Sequence, residues 1–470
     1  MLGGNGTVSN LFVNSGATLA PGNSIGTINV TGNVTFDAGS FYQVEVDAAG
    51  NADLTHATGT ATINGGTVEV LAGSGNYKVS TQYTILTADG GLTGVGVFSK
   101  VTSNFAFLTP VLSYDANNVY LTMSRVDFAN IGNTPNQRAT GRALESLGAG
   151  ALFDAALQLD APGARAALDR LSGEIHASAR AALIEDSRFV REAALDELTG
   201  GNDSRVWGRA FGSSGHLAGD RNAAKVERAI HGFFVGADGQ LADNVRLGVL
   251  GGYSRSDFDA NHASSASDSY HFGAYVGARR AAFSLRAGAA YSRHDLATRR
   301  SVAFDGFSDR LRKDYQADTR QVFAELGYGI DAGAVRVEPF INVAHARVAS
   351  DGFTEKGGQA ALKAKGQSAS MTFSTLGAHL ATDLGAVRFK GSLGWQRAFG
   401  DRTPETTLRF ANGGNAFDIT GAPLARNTAV VEAGLDFAIG KNATLGVFYN
   451  GRFASGMTDN GGRATLSVWF

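Results

Sequence analysis

The sequence predicts a mainly β protein in three parts: a parallel β-helix stem, an α-helical linker, and a twelve-stranded antiparallel transmembrane β-barrel with a helix in its lumen. Three observations carry this expectation. Residues 1–126 are short β-rich runs between Gly and Asn turns; about 135–199 lean to Ala, Leu, Arg and Glu; and from 204 apolar and polar residues alternate in segment after segment. The 470 residues include 62 glycines and no cysteine, which disfavours a disulfide scaffold or a zinc finger. Lys and Arg total 41 against 43 for Asp and Glu. That balance supplies no global basic field, so no nucleic-acid partner is expected.

In the stem, Thr7 to Val13, Gly26 to Val30, Asn33 to Phe36, Phe41 to Val46, Ala61 to Ile63 and Thr67 to Leu71 are separated by Asn14-Ser-Gly, Pro21-Gly-Asn, Asp37-Ala-Gly-Ser and Asn64-Gly-Gly. Runs of this length with such punctuation read as strands and turns. Their recurrence favours a parallel β-helix, in which each rung buries its apolar face on the next; a β-sandwich is the rival. Residues 1–124 hold Lys78 and Lys100 against seven acids, a net of −5, while the rest carries +3. The shift in composition and charge reads as a domain boundary, giving 1–126, 127–203 and 204–470.

In the linker, Pro162 stands where a helix-opening proline belongs. Residues 174–198 contain no Gly or Pro and predict one helix, at 1.5 Å per residue about 35 Å long. Arg180, Glu185, Asp186, Arg188, Arg191 and Glu192 keep it out of lipid, so a wet lumen is the expected place for it.

In the third part, Val245, Leu247 and Val249 alternate with Arg246 and Gly248, and the same grammar runs through Phe283–Ser292, Val335–Ala344 and Val387–Gln396. Period two is the strand period. Twelve segments start near Arg205, Val226, Asn244, Ser267, Ala281, Gln316, Ala334, Ser370, Ala386, Asn427, Asn442 and Gly461. The eighth is the least regular, with apolar residues on both parities. Short turns such as 242–244, 281–282, 331–334 and 440–442 alternate with charged stretches at 261–267, 299–314, 350–367 and 401–427, which read as long loops. Short turns on one rim and long loops on the other, with Tyr253, Tyr270, Tyr291, Trp395, Tyr449 and Trp469 near segment ends, suit an outer-membrane barrel rather than a soluble sheet. An even number of strands begins and ends on the short-turn side. A stem that works outside the cell is then joined to the first strand through the lumen, along helix 174–198.

The alternation turns Arg209, Arg246, Arg286, Glu325, Arg336, Glu338, Arg388, Lys390, Glu432, Asp436 and Arg452 inward. They could hydrate or pair with the helix, but for most of them the favoured expectation is that they merely keep the pore wet. Leu466, Val468 and Phe470 form an apolar ladder that stops on an aromatic carboxy terminus. The nine histidines lack the close pairing of a zinc motif, and neither a Gly-x-Ser-x-Gly elbow nor a Walker loop is present. No catalytic residue, metal or cofactor is assigned. Met1 does not open a signal peptide, so the sequence reads either as a cytosolic chain or as a fragment whose leader has been lost.

Residues 171–191, from Leu171-Ser-Gly-Glu-Ile-His to Phe189-Val-Arg, with Val206-Trp-Gly-Arg-Ala-Phe, Gly232-Phe-Phe-Val-Gly-Ala-Asp and Thr465-Leu-Ser-Val-Trp-Phe, resemble the translocator unit of type Va autotransporters. Leu19-Ala-Pro-Gly-Asn-Ser-Ile-Gly-Thr-Ile looks like the motif in the last rungs of their passengers. The resemblance implies a chain that carries its own N-terminal passenger across a Gram-negative outer membrane and displays it. Its partners would be outer-membrane lipid and the barrel assembly machinery, which would read Leu466, Val468 and Phe470. Some members cut the passenger free between two Asn residues of the helix; none stand there in this sequence. A second reading makes the stem itself an adhesin that contacts a host-surface ligand.

Overall fold

The computed structural model describes residues 1–73, 75, 77, 80–199 and 204–470. The last residues of the expected linker, 200–203, lie outside that set. The chain divides into two compact units, one of Met1–Asn133, Thr140–Asp169 and Ala303–Phe307, the other of Thr134–Ala139, Arg170–Val302 and Ser308–Phe470.

In the first unit the chain visits three parallel sheets in rotation. Leu2–Gly4, Thr18–Pro21, Phe41–Val46, Thr67–Ala72 and Lys100–Ser103 form one sheet. Gly6–Val8, Thr27–Val30, Leu54–Ala57 and Ser80–Ala88 form the second, and Leu11–Val13, Val34–Phe36, Ala61–Ile63 and Leu92–Gly94 the third. Alternate residues point into a common core that includes Leu19, Val30, Val34, Phe36, Tyr42 and Ile63, all fully buried. Asparagines tie successive circuits: Asn10 Oδ1 accepts from Asn33 N at 2.9 Å, and Asn33 Oδ1 from Thr60 N at 2.8 Å. The Pro21-Gly-Asn-Ser-Ile-Gly turn closes around buried Asp53, whose carboxylate accepts from Gly26 N and Glu45 N, each at 2.8 Å. Burial pushes that carboxyl up to about 6. Gly22 has φ +85°, and a Cβ there would lie 1.8 Å from Ser24 O, so both the turn and the close packing require glycine.

The unit departs from an all-parallel expectation at its end. Leu108–Tyr114 and Asn118–Arg125 form a hairpin that pairs antiparallel to Ser80–Ala88. A sheet edge with no next circuit can be covered by a hairpin, because antiparallel strands need only a tight turn.

Helices α1 (Pro135–Glu145), α2 (Ala151–Leu157) and α3 (Ala161–Leu171) follow. The single helix expected over 174–198 is two, α4 (Ile175–Asp186) and α5 (Arg188–Glu197), divided at Ser187. Ser187 keeps helical dihedrals, φ −56° and ψ −20°. Its hydroxyl donates back to Ile184 O at 2.7 Å, a back-bond that disturbs the helical ladder locally.

Twelve antiparallel strands close a barrel: β1 (Arg205–Leu217), β2 (Val226–Ala242), β3 (Val245–Ala260), β4 (Ala263–Arg280), β5 (Phe283–Phe304), β6 (Phe307–Tyr328, continued by Ile330–Ala332), β7 (Val335–Ser350), β8 (Gln367–Leu384), β9 (Val387–Gly400), β10 (Asn427–Ala438), β11 (Ala443–Ala454) and β12 (Met457–Trp469). The seam runs from Arg205↔Trp469 to Leu217↔Met457. Outward side chains such as Leu247, Phe272, Leu285, Val322, Ile341 and Leu393 are exposed, a continuous apolar exterior that suits lipid. Among the described residues no helix is long and apolar enough to cross a membrane.

Two expected long loops are corrected. Residues 261–267 reduce to the turn at Asn261 and His262, and 299–314 is strand on both sides of a turn at 305–306. There the inward residues keep their pattern while the outward ones turn polar, as strands do once they rise past lipid. The stretches 350–367 and 401–427 are long, and they hold a small separate sheet of Phe353–Thr354, Leu362–Ala364, Glu405–Phe410 and Phe417–Thr420. The irregular β8 also has a cause. Its inward Met371 and Phe373 are buried beneath the helix, and the Arg191 guanidinium lies 5.2 Å from the Phe373 ring centroid.

Candidate functional site: the filled lumen

All twelve residues of α4 are buried, and α4 and α5 pack on the inner wall of the barrel. A helix with this many charges can be buried only if the wall pairs them. Its acids meet wall arginines. Glu185 accepts from Arg452 at 3.0 Å, Asp186 from Arg228, and Asp196 from Arg209 at 2.9 Å. Arg463 reaches Asp196 at 3.2 Å, and Glu197 faces Arg209 at 3.3 Å and Arg205 at 3.5 Å. One link has the reverse sense: Arg188 donates to Asp459 at 2.6 Å. Asp459 also accepts from Arg228 and from Ser213, so one carboxylate of β12 joins the helix to β2 and β1.

Of the helix residues read from sequence, Arg191 donates to Ser187 Oγ at 3.2 Å and Gln321 Oε1 at 3.4 Å. Arg180 donates to Thr406 Oγ1 and, at 3.1 Å, to Glu405 O. Of the wall residues, Arg246 donates to Asp238 and to Glu197 O. Arg286 lies between Glu325, at 2.6 Å, and Glu338; Lys390 pairs with Asp436 at 2.7 Å; and Glu432 accepts from Arg463 at 2.7 Å. Arg336 and Arg388 stand apart from the helix. Their half-exposed side chains pair with the turn acids Asp331 and Asp383, each at 3.4 Å. They border a pocket of about 330 Å³ at the short-turn mouth. Most inward charges therefore form dry pairs rather than wetting an open pore. Asp186 is among the helix charges read from sequence, whereas Arg228 and Asp459 escaped the sequence reading. Arg228 has the inward parity of Val226 and Ile230, and Asp459 precedes Gly461, where the last strand was taken to start.

At the long-loop end the small sheet grips α4. Glu355 accepts from Arg300 Nε at 2.8 Å and Nη2 at 2.9 Å, and faces His176 Nε2 at 2.9 Å. Ser178 Oγ accepts from Ala422 N at 3.0 Å. Gly421 is forced by this contact, since a Cβ there would lie 2.5 Å from Ser178 N. Asn136 of α1 adds a further tie, donating from Nδ2 to Thr420 O at 2.9 Å and accepting from Thr420 N at 3.1 Å.

At the carboxy terminus, Leu466 and Val468 point outward and lie opposite Gly208 and Val206 across the seam. Phe470 is 79% exposed, and its N–H donates to Ser204 O at 3.2 Å. Among the described residues no group of three or more His, Cys, Asp or Glu is arranged to hold a metal.

The autotransporter β-domain model matches residues 206–450. Two extracellular serine proteases of Serratia marcescens are similar to the chain: one is 34% identical over 539 residues, covering 100% of this chain and 51% of the relative. The other is 32% identical over 519 residues, covering 96% and 49%. The chain thus spans about half the length of these curated relatives. Among solved structures, the translocator domain of the autotransporter NalP from Neisseria meningitidis matches with a TM-score of 0.54 and 16% identity, over 63% of this chain and 99% of that one.

Proposed function

Because the chain belongs to the autotransporter family and its barrel is an outer-membrane translocator, we propose that it carries its own N-terminal passenger through the lumen and displays it on the Gram-negative cell surface. In this reading 1–126 is the passenger's stem, 127–203 the linker and 204–470 the anchor. The observation that carries it is the charged helix α4–α5, seated in a closed barrel by pairs such as Arg452–Glu185 and Arg228–Asp186. A segment that led a passenger outward would come to rest in the lumen, where its charges need partners. The barrel assembly machinery is the partner proposed to read Leu466, Val468 and Phe470. The relatives' names suggest the cargo: a serine protease in the part of the protein that precedes this chain. The barrel itself acts as a conduit and anchor rather than a catalyst.

The test places an epitope ahead of residue 1, behind a secretion leader. In intact cells added protease should remove the epitope, while the barrel migrates as a compact heat-modifiable band. An epitope reached only after the outer membrane is opened would overturn the proposal.

A further inference from the structure

We propose that the barrel's outer surface, above its lipid band, binds the phosphorylated core sugars of outer-leaflet lipopolysaccharide through Arg299, Arg310, Arg312 and Lys356. Arg299 shares its parity on β5 with the lipid-facing Leu285 and Tyr291, and Arg310 and Arg312 share theirs on β6 with Val322 and Leu326, so all three point away from the lumen. With Lys356 they line one open crevice of about 990 Å³. Arg312 and Lys356 lie directly opposite, their backbones joined by reciprocal bonds of 2.9 and 3.0 Å. Like charges in that relation destabilise a sheet unless an anion lies between them.

The surrounding acids do not answer these four cations. Glu227 pairs with Lys225, and Glu355 is buried against Arg300 on the lumen side. That leaves Asp259 in the lining. Among the described residues none of the four cationic side chains has an ion-pair partner.

Height selects the occupant. Arg299 lies eight residues beyond Tyr291, and Arg312 ten beyond Val322. At about 3.3 Å per residue and a tilt near 40°, that is roughly 20–25 Å above the apolar band. A phospholipid headgroup layer is only about 5–8 Å deep on each side. A lipid reaches the crevice only if its anionic groups stand on an extended sugar core.

The experiment uses the full chain in nanodiscs of phosphatidylcholine doped with lipopolysaccharide, with bound glycolipid counted by native mass spectrometry. The combined variant Arg299→Gln, Arg310→Gln, Arg312→Gln, Lys356→Gln should retain at least tenfold less. A control that removes equal charge from the small sheet and its flanks, Lys363→Gln, Lys365→Gln, Arg402→Gln, Arg409→Gln, should retain as much as the unaltered chain. Neither phosphatidylglycerol nor inorganic phosphate should displace the glycolipid. Equal retention by the fourfold variant, equal loss in the control, or displacement by either competitor overturns the proposal. If the fourfold variant loses heat-modifiable migration, Lys356→Gln alone serves, with about threefold loss expected and no loss overturning it. The inference rests on the barrel's outer-membrane placement; an unaltered chain that fails to reconstitute would count against that placement instead.

Discussion

Asp459 shows how much one side chain carries. Its oxygens take Arg188 of the helix, Arg228 of β2 and Ser213 of β1, all buried. Asp459→Asn preserves the shape but leaves two buried guanidinium groups short of a counter-charge. Breaking a buried pair in this way typically costs about 3–5 kcal/mol. The temperature at which the compact band is lost on heating should fall, and an unchanged transition would mean that the network is dispensable. The same residue marks a limit of sequence reading. Parity turns Arg228 and Asp459 inward, but nothing in the local pattern says that they share a height on the wall, or that Arg188 of the helix reaches the same carboxylate.

Among elements, α4 and the small loop sheet depend on each other. The sheet's inner face carries Phe353, Leu362, Leu408 and Phe410, all buried, and Glu355 ties it to the helix and to β5. Replacing Glu355 with Ala removes the acceptor shared by Arg300, His176 and the Leu362 amide. We expect the sheet to loosen from the helix and ion conductance across planar bilayers to rise several-fold, with the barrel still heat-modifiable. Unchanged conductance together with loops still resistant to protease would refute a sealing role. The helix was legible in the absence of Gly and Pro over 174–198; its break at Ser187 was not, because one serine is compatible with a continuous helix. The sheet was illegible as well. Its strands are two to six residues long and take their order from the helix beneath them.

For the whole molecule, the passenger stem is proposed to fold first and template what lies upstream, since stacked circuits propagate by nearest-neighbour contact. Tyr77, Tyr83 and Phe98 add bulky core residues in its later part to Phe36 and Tyr42 in the earlier circuits. Removing residues 60–126 should leave the barrel assembled and lower the amount of folded passenger at the surface; undiminished display would sink the idea. The twelve-stranded barrel, its inward and outward faces and its family resemblance were determined by the sequence alone. Lipid outside and a polar lumen inside impose opposite demands on successive residues, and a chain that meets both demands writes them as period two. Tertiary structure alone decided which inward charges meet the helix and which meet each other, that residues 299–314 continue as strand, and that Arg312 faces Lys356. Those relations depend on strand tilt, register and height around a closed wall, and a one-dimensional pattern of polarity records none of the three.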